Sequence, residues 1–190
     1  REEIVRAIRE KNPDATVEIG KWSPFAITMR NGGRVDQLPG FAENEWVVQE
    51  EGSQLVALAL NAQPGETVLD ACAGRGNKTA ILARAVAPNG AVDASDIHSS
   101  KLERLTTELQ RLHLPLRHTE LVDLGVGVGD LKGPYDRILV DAPCSGIGTI
   151  KRRPDLALRR EERDLKQLAA LQVAIVKNAS TLLRPGGKLV

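Results

Sequence analysis

Only two of the 190 residues are cysteine, Cys72 and Cys144, which excludes a disulfide-stapled secreted scaffold. Each lies in a loop-like motif of its own, so both are read as reduced thiols. Three scattered histidines, His98, His113 and His118, offer no metal-ligand spacing, and no metal is expected. Aromatic residues make up 3% of the chain, too few for a stacking platform of the kind used by single-strand binders to be visible. Trp22, Phe25, Phe41 and Trp46 are therefore read as core or hinge packing. No apolar run approaches the ~20 residues of a membrane span, and Arg1-Glu2-Glu3 leads into charged helix-like sequence rather than the apolar core of a secretory signal. A cytoplasmic location without a membrane partner is the expectation. The net charge of +1 is too small to imply nucleic acid by itself, so any basic footprint must be local.

Hydrophobic residues at 42% and charged residues at 27% are ordinary for a globular chain, and the length allows one principal core. Beyond residue 46 strand-like and helix-like segments alternate, the pattern of a parallel α/β sheet wrapped by helices. Strands are predicted over 67–71, 91–95, 116–122, 137–141 and 188–190, with helices over 79–86, 99–112 and 164–183. The second helix places Leu102, Leu105, Leu109 and Leu112 at helical spacing. Arg184-Pro185-Gly186-Gly187 reads as the turn before the last strand. Residues 1–45 differ: a short helix over 2–10, strands over 16–19 and 25–29, and a tight turn at Asn31-Gly32-Gly33. The expected division is a small α+β appendage over 1–45, a place for RNA contact, and one larger domain over 46–190.

The segment Asp70-Ala71-Cys72-Ala73-Gly74-Arg75-Gly76-Asn77-Lys78-Thr79 sets a glycine-containing loop between a strand and a helix, where a ligand meets bare backbone and free helix N–H groups. A dinucleotide fingerprint would need Gly or Ala where Thr79 stands, and a phosphate-binding P-loop would need glycine in place of Cys72 and Asn77. What remains is the S-adenosylmethionine loop of class I methyltransferases, or a simple turn. Asp96 closes the second strand about 20 residues later, the place of a carboxylate that accepts ribose hydroxyls. Capping the next helix is the plainer role for it, and Asp93, inside the strand, is the weaker rival. Asp123 ends the third strand at the same edge, suited either to an adenine amino group or to opening the glycine-rich loop that follows.

The run Asp141-Ala142-Pro143-Cys144-Ser145-Gly146 follows the fourth strand and puts a carboxylate, a rigid proline and a thiol where open α/β sheets bind ligands. From these residues alone Cys144 is the obvious nucleophile, a small buried apolar side chain being the alternative. Residues 151–166 hold seven basic side chains, among them Lys151, Arg152 and Arg153, against four acidic ones. They suit RNA phosphates or a solvated helix face.

Together with Ile147-Gly148 and Arg152-Arg153-Pro154-Asp155, this run resembles the signature of the Nol/Nop/Sun RNA cytosine-5 methyltransferases, most closely the bacterial Sun (Fmu) branch. Leu38-Pro39-Gly40-Phe41, Val48-Gln49-Glu50, Ser53-Gln54 and Gly186-Gly187-Lys188-Leu189-Val190 resemble further segments in the same order, so the likeness covers about 38–190. It implies a Rossmann-like class I fold, S-adenosylmethionine as cofactor and ribosomal RNA as substrate, in a monomer. By position it assigns the cofactor loop to Cys72, Ala73, Gly74, Arg75, Gly76, Asn77 and Lys78, the ribose acid to Asp96, the adenine-side acid to Asp123 and the base-handling acid to Asp141. Arg75 and Asn77 depart from the proline and glycine common in the family; Asn tolerates positive φ, and Arg75 is available to a cofactor carboxylate. The resemblance also gives Cys144 a part in product release, with attack by a second cysteine lying beyond Val190, so the chain is expected to be a C-terminally truncated piece that shows five strands of a larger sheet. A noncatalytic RNA-binding or scaffolding protein that keeps the fold is the alternative; methylation of a protein glutamine is disfavoured by the Asp-Ala-Pro-Cys loop.

Overall fold

In the computed structural model, which describes residues 1–151, 154–155, 158 and 161–190, the chain opens with helix α1 (Glu2–Lys11) and the antiparallel strands β1 (Thr16–Ile19) and β2 (Ile27–Arg30). Val5 and Ile8 lie one helical turn apart and close on Val17 and Leu38, a thin core with Met29 and Trp46 packed at its margin. Phe41 meets Trp46 edge-on at 5.2 Å between ring centroids, and Arg111 stacks on Phe41 while donating to the Phe41 and Trp46 carbonyls. These two aromatics are packing residues, as expected. Trp22 and Phe25 are not: they are 67% and 53% exposed. The buried residues of that segment are Ser23 and Ala26, and the turn between them, in which the Ala26 N–H donates to the Ser23 carbonyl at 3.3 Å, leaves Trp22 and Phe25 outside.

Helix α2 (Glu51–Ala59), which sequence periodicity does not single out, leads into strand β3 (Thr67–Asp70). Helix α3 (Asn77–Val86), strand β4 (Ala91–Asp96), helix α4 (Ser99–Arg111) and strand β5 (His118–Leu121) follow. Strand β6 (Tyr135–Leu139), helix α5 (Glu162–Ser180) and strand β7 (Leu183–Leu189) complete the described elements. β3 to β7 form one parallel sheet in the order β5-β4-β3-β6-β7. Sequence order reverses between β3 and β6, and the crevice at the carboxyl ends of these strands is where such sheets bind ligands.

Side chains alternate across the sheet. Val68, Val92 and Leu139 join Leu82, Val86, Leu105 and Leu109 on the face covered by α3 and α4; Leu69 and Ile138 join Tyr135, Ile175 and Ala179 on the face covered by α5. Each fully buried leucine contributes about 2–3 kcal/mol by area. Inside this frame Asp93 is 4% exposed and takes three donors: Arg117 through Nε at 2.8 Å and Nη2 at 2.6 Å, and the Tyr135 hydroxyl at 2.6 Å. It is committed to holding β4, β6 and the start of β5 together.

Two boundaries differ from the sequence expectation. The fourth strand begins at Tyr135, whose ring is fully buried, and ends at Leu139, so Asp141 stands beyond the strand on the loop. Pro185-Gly186-Gly187 is not a turn ahead of the last strand but a bulge within β7, pairing passing from Tyr135↔Leu183 to Arg137↔Lys188. Gly186 takes φ +75, and a Cβ on Gly187 would lie 2.8 Å from the Asp136 carbonyl.

Candidate cofactor and catalytic site

The loop after β3 is tied sideways into the sheet, the Ala71 N–H donating to the Leu139 carbonyl and the Ala73 N–H to that of Ser95. It then turns into α3 through Gly74 at φ +58 and Gly76 at φ +87. Only glycine suits residue 76: φ is left-handed and a Cβ would sit 2.8 Å from Leu105 Cγ. Facing the loop, Asp96 is 8% exposed. Its Oδ2 accepts the Gly74 N–H at 3.1 Å, its Oδ1 the His98 N–H at 3.0 Å, and Lys101 Nζ lies 3.3 Å away. The helix-capping alternative does not describe it, since His98 occupies the N-cap of α4.

These groups floor a cavity of about 310 Å³. Asp96 and Lys101 supply its polar side; Val122, Leu124, Leu171 and Ile175 supply apolar walls; Asp123, exposed, lines its mouth with Oδ1 engaged by the Gly125 N–H at 2.8 Å. Cys72 also lines it, and burial, with the Asp70, Asp96 and Asp141 carboxylates adding to it, pushes that thiol up to about 12. A thiol so raised is neutral at physiological pH and serves as wall rather than nucleophile.

Above the cavity runs the Asp141 loop. Lys78 Nζ, on a side chain 17% exposed, pairs with Asp141 Oδ2 at 2.6 Å, so α3 and the loop after β6 meet through one ion pair. Pro143 lines the cavity and its carbonyl accepts from Gln172 Nε2 of α5 at 2.7 Å. Cys144 is exposed at the loop's crest, against the buried alternative. Gly146, at φ 74, then opens a short 3₁₀ turn (Ile147–Thr149).

The structure thus gathers Cys72, Asp96 and Asp123 around one cavity and Lys78 with Asp141 beside it, with Ala73 and Gly74 in the connecting loop. Two members of that loop turn elsewhere. Arg75 is exposed in a groove against Glu103 and Arg104 of α4, and Asn77 Nδ2 donates to the Val48 carbonyl. Lys151 is exposed; Arg152 and Arg153 lie outside the described residues. Among the described residues no cluster of His, Cys, Asp and Glu could hold a metal ion, and no helix is long and apolar enough to cross a membrane.

Sequence reasoning missed Lys101, Leu171, Ile175 and Asp70. Leu171 and Ile175 are four apart on one face of α5, a spacing that signals burial but not against what. Asp70 is buried at the end of β3; its Oδ2 accepts the Thr79 hydroxyl at 2.7 Å, and its Oδ1 has no partner among the described residues. Burial pushes it up to about 6 from an ordinary 3.8, with the Thr79 bond and Lys78 opposing. Because the folded value lies above the unfolded one, folding takes up protons between about pH 4 and 6, so stability falls as pH rises through that window and stays lower above it. Asp70→Asn is expected to stabilise the chain at pH 7.5 by about 1–3 kcal/mol, with the gain vanishing near pH 4; urea denaturation at the two pH values measures it.

The cavity suits an adenosine: a buried carboxylate for hydroxyls at one side, aliphatic walls for a flat ring, an acid at the mouth. Sheet order, loop and cavity together define a class I S-adenosylmethionine-dependent methyltransferase fold.

The known proteins it resembles agree. The chain is 36% identical, over its whole length, to a probable ribosomal RNA small subunit methyltransferase B of Synechocystis, covering 43% of that protein. It is 40% identical, over 79% of its length, to the corresponding Bacillus subtilis protein, covering 34% of it. Among solved structures, a methyltransferase homologue from Pyrococcus horikoshii superposes with a TM-score of 0.79 at 28% identity over 99% of this chain and 58% of that one. NSun6 from the same organism, with SFG, gives 0.72 at 27% over 82% and 40%. The family model for the 16S rRNA methyltransferase RsmB/F matches residues 57–190, and the chain belongs to that family. It spans about two fifths of the length of the curated relatives it matches.

Proposed function

We propose that this chain is the cofactor-binding portion of an enzyme that methylates carbon 5 of a cytosine in ribosomal RNA. The observation that supports this best is the Asp141-Ala142-Pro143-Cys144 loop standing over the cavity, its carboxylate 2.6 Å from Lys78 and its thiol at the exposed crest. S-adenosylmethionine, held by Asp96 and the Gly74 loop, supplies an electrophilic methyl group. Carbon 5 of cytosine is a weak nucleophile until a thiolate adds at carbon 6. Asp141 favours that addition by handing a proton to ring N3, where negative charge develops as the thiolate adds. Once carbon 5 is methylated its proton must pass to a base before the sulfur adduct can eliminate; Cys144, exposed on the loop, assists that release, and by the family resemblance attack comes from a second cysteine. Loops of amino-methylating enzymes of this fold hold a planar amine with an aromatic residue after paired prolines; Ala142-Pro143-Cys144 has none.

The test has two parts. Calorimetry on this chain should show S-adenosylmethionine binding, and no binding at millimolar ligand would remove the cofactor assignment. The gene product containing the chain, incubated with S-adenosylmethionine and transcribed 16S RNA, should yield 5-methylcytosine on nucleoside mass spectrometry; methylation of another base, or none, would overturn the acceptor.

A further inference from the structure

Most exposed side chains in the amino-terminal unit are polar, yet Trp22 and Phe25 stand out from it at 67% and 53% exposure. Large apolar rings left in water on a well-held segment mark contact surfaces. This segment is well held. Glu51 Oε1 accepts the Trp22 and Ser23 N–H groups, the Ser23 hydroxyl donates to Gln54 Oε1 at 2.7 Å, and the Gly20 N–H donates to the Ala26 carbonyl at 2.9 Å. Ser23 and Ala26 are buried anchors, and the two rings are thereby presented with little entropy left to lose on binding.

We propose that Lys21, Trp22 and Phe25 form a stacking platform for the single-stranded RNA that flanks the target base, an inference that rests on the RNA-methylating assignment above. Charge favours RNA over an apolar peptide. Lys21 Nζ lies 4.8 Å from the centre of the Trp22 ring, Arg1 Nη1 reaches the Ser23 carbonyl, and Arg84 is exposed beside the hollow that Phe25 lines. Of the carboxylates around it, Glu51 is spent on two backbone donors, which hold it below the usual carboxylate range, Glu2 lies 3.8 Å from Arg1, and Glu45 lines the hollow together with Arg84. Position favours it too. The hollow beneath Phe25 runs through Trp46 and Val47 to Asn77, whose side chain grips the carbonyl of exposed Val48. Asn77 immediately precedes Lys78, the partner of Asp141. An apolar hollow with Arg84 at its side thus runs from the platform to the start of α3, the helix that also carries Lys78, and stacked bases with phosphates alongside match that layout.

The experiment uses this chain with a labelled, unstructured oligocytidylate of about a dozen nucleotides, followed by fluorescence anisotropy. Trp22→Ala is expected to weaken binding by about 5- to 50-fold, Trp22→Phe to retain most of it, and both to bind S-adenosylmethionine as the parent does. Parental tryptophan emission should be quenched by the oligonucleotide and the quenching lost in Trp22→Phe, which leaves only the packed Trp46. Equal RNA affinity of parent and Trp22→Ala would overturn the platform, and is what a surface for a protein partner predicts; absence of RNA binding by the parent would overturn it as well. Failure of the methyltransferase assignment is read separately, as loss of S-adenosylmethionine binding by the parent.

Discussion

Asp96→Ala is expected to weaken S-adenosylmethionine binding about 100-fold while the chain stays folded. On the proposed assignment the carboxylate accepts both hydroxyls of a ribose, and hydrogen bonds to a charged group are each worth about 1.5–3 kcal/mol. It also holds the Gly74 N–H at 3.1 Å and approaches Lys101 at 3.3 Å, so its removal also loosens the loop beside the ligand. Folding should suffer less, because Lys101 is partly exposed and can return to water. Calorimetry gives the affinity and a thermal melt gives the fold. Unchanged affinity would rule out the ribose assignment.

The opposite pattern is expected three residues earlier. Asp93→Ala strips the buried Tyr135 hydroxyl of its acceptor and the Arg117 guanidinium of both its bonds. A broken buried pair costs about 3–5 kcal/mol, but the Arg117 side chain is 47% exposed, which brings the expected loss to about 2–4 kcal/mol. For a chain of this size the melting temperature should fall by about 5–15 °C. Cofactor affinity should be unchanged, since Asp93 does not line the cavity. A variant that melts normally, or one that loses cofactor while stable, would show that the two acids of β4 have been assigned the wrong way round.

That contrast also shows what was legible in the sequence. Strand and helix order followed from hydrophobic period, and the glycine loop, Asp96 and the Asp141 loop from their positions after strands, because sheet topology dictates that such loops converge at one edge. Partnership was not legible. Asp93 and Asp96 differ by which neighbours reach them from residues 117 and 135 or 74 and 101, and contacts so distant in sequence leave no local period. Arg75 shows the same limit in reverse: its place in the loop suggested a cofactor contact, whereas its side chain follows the outer surface of α4. Trp22 and Phe25 read as packing because so few aromatics show no stacking platform, and only the turn that buries Ser23 and Ala26 leaves them outward. The Pro185-Gly186-Gly187 bulge carries ordinary turn residues, and nothing local distinguishes a turn before a strand from an irregularity within one.

The ion pair between Lys78 and Asp141 joins the cofactor side of the site to the loop after β6. Lys78 stands on the helix that follows the cofactor loop, and Asp141 on the loop assigned to the base. On the proposed assignment, a cofactor that drew Lys78 toward itself would leave Asp141 freer to receive the ring, and a ring that engaged Asp141 would release Lys78. By reciprocity, whatever factor one ligand applies to the affinity of the other is returned in full. Whichever ligand arrived first would then raise the affinity for the second by that same factor.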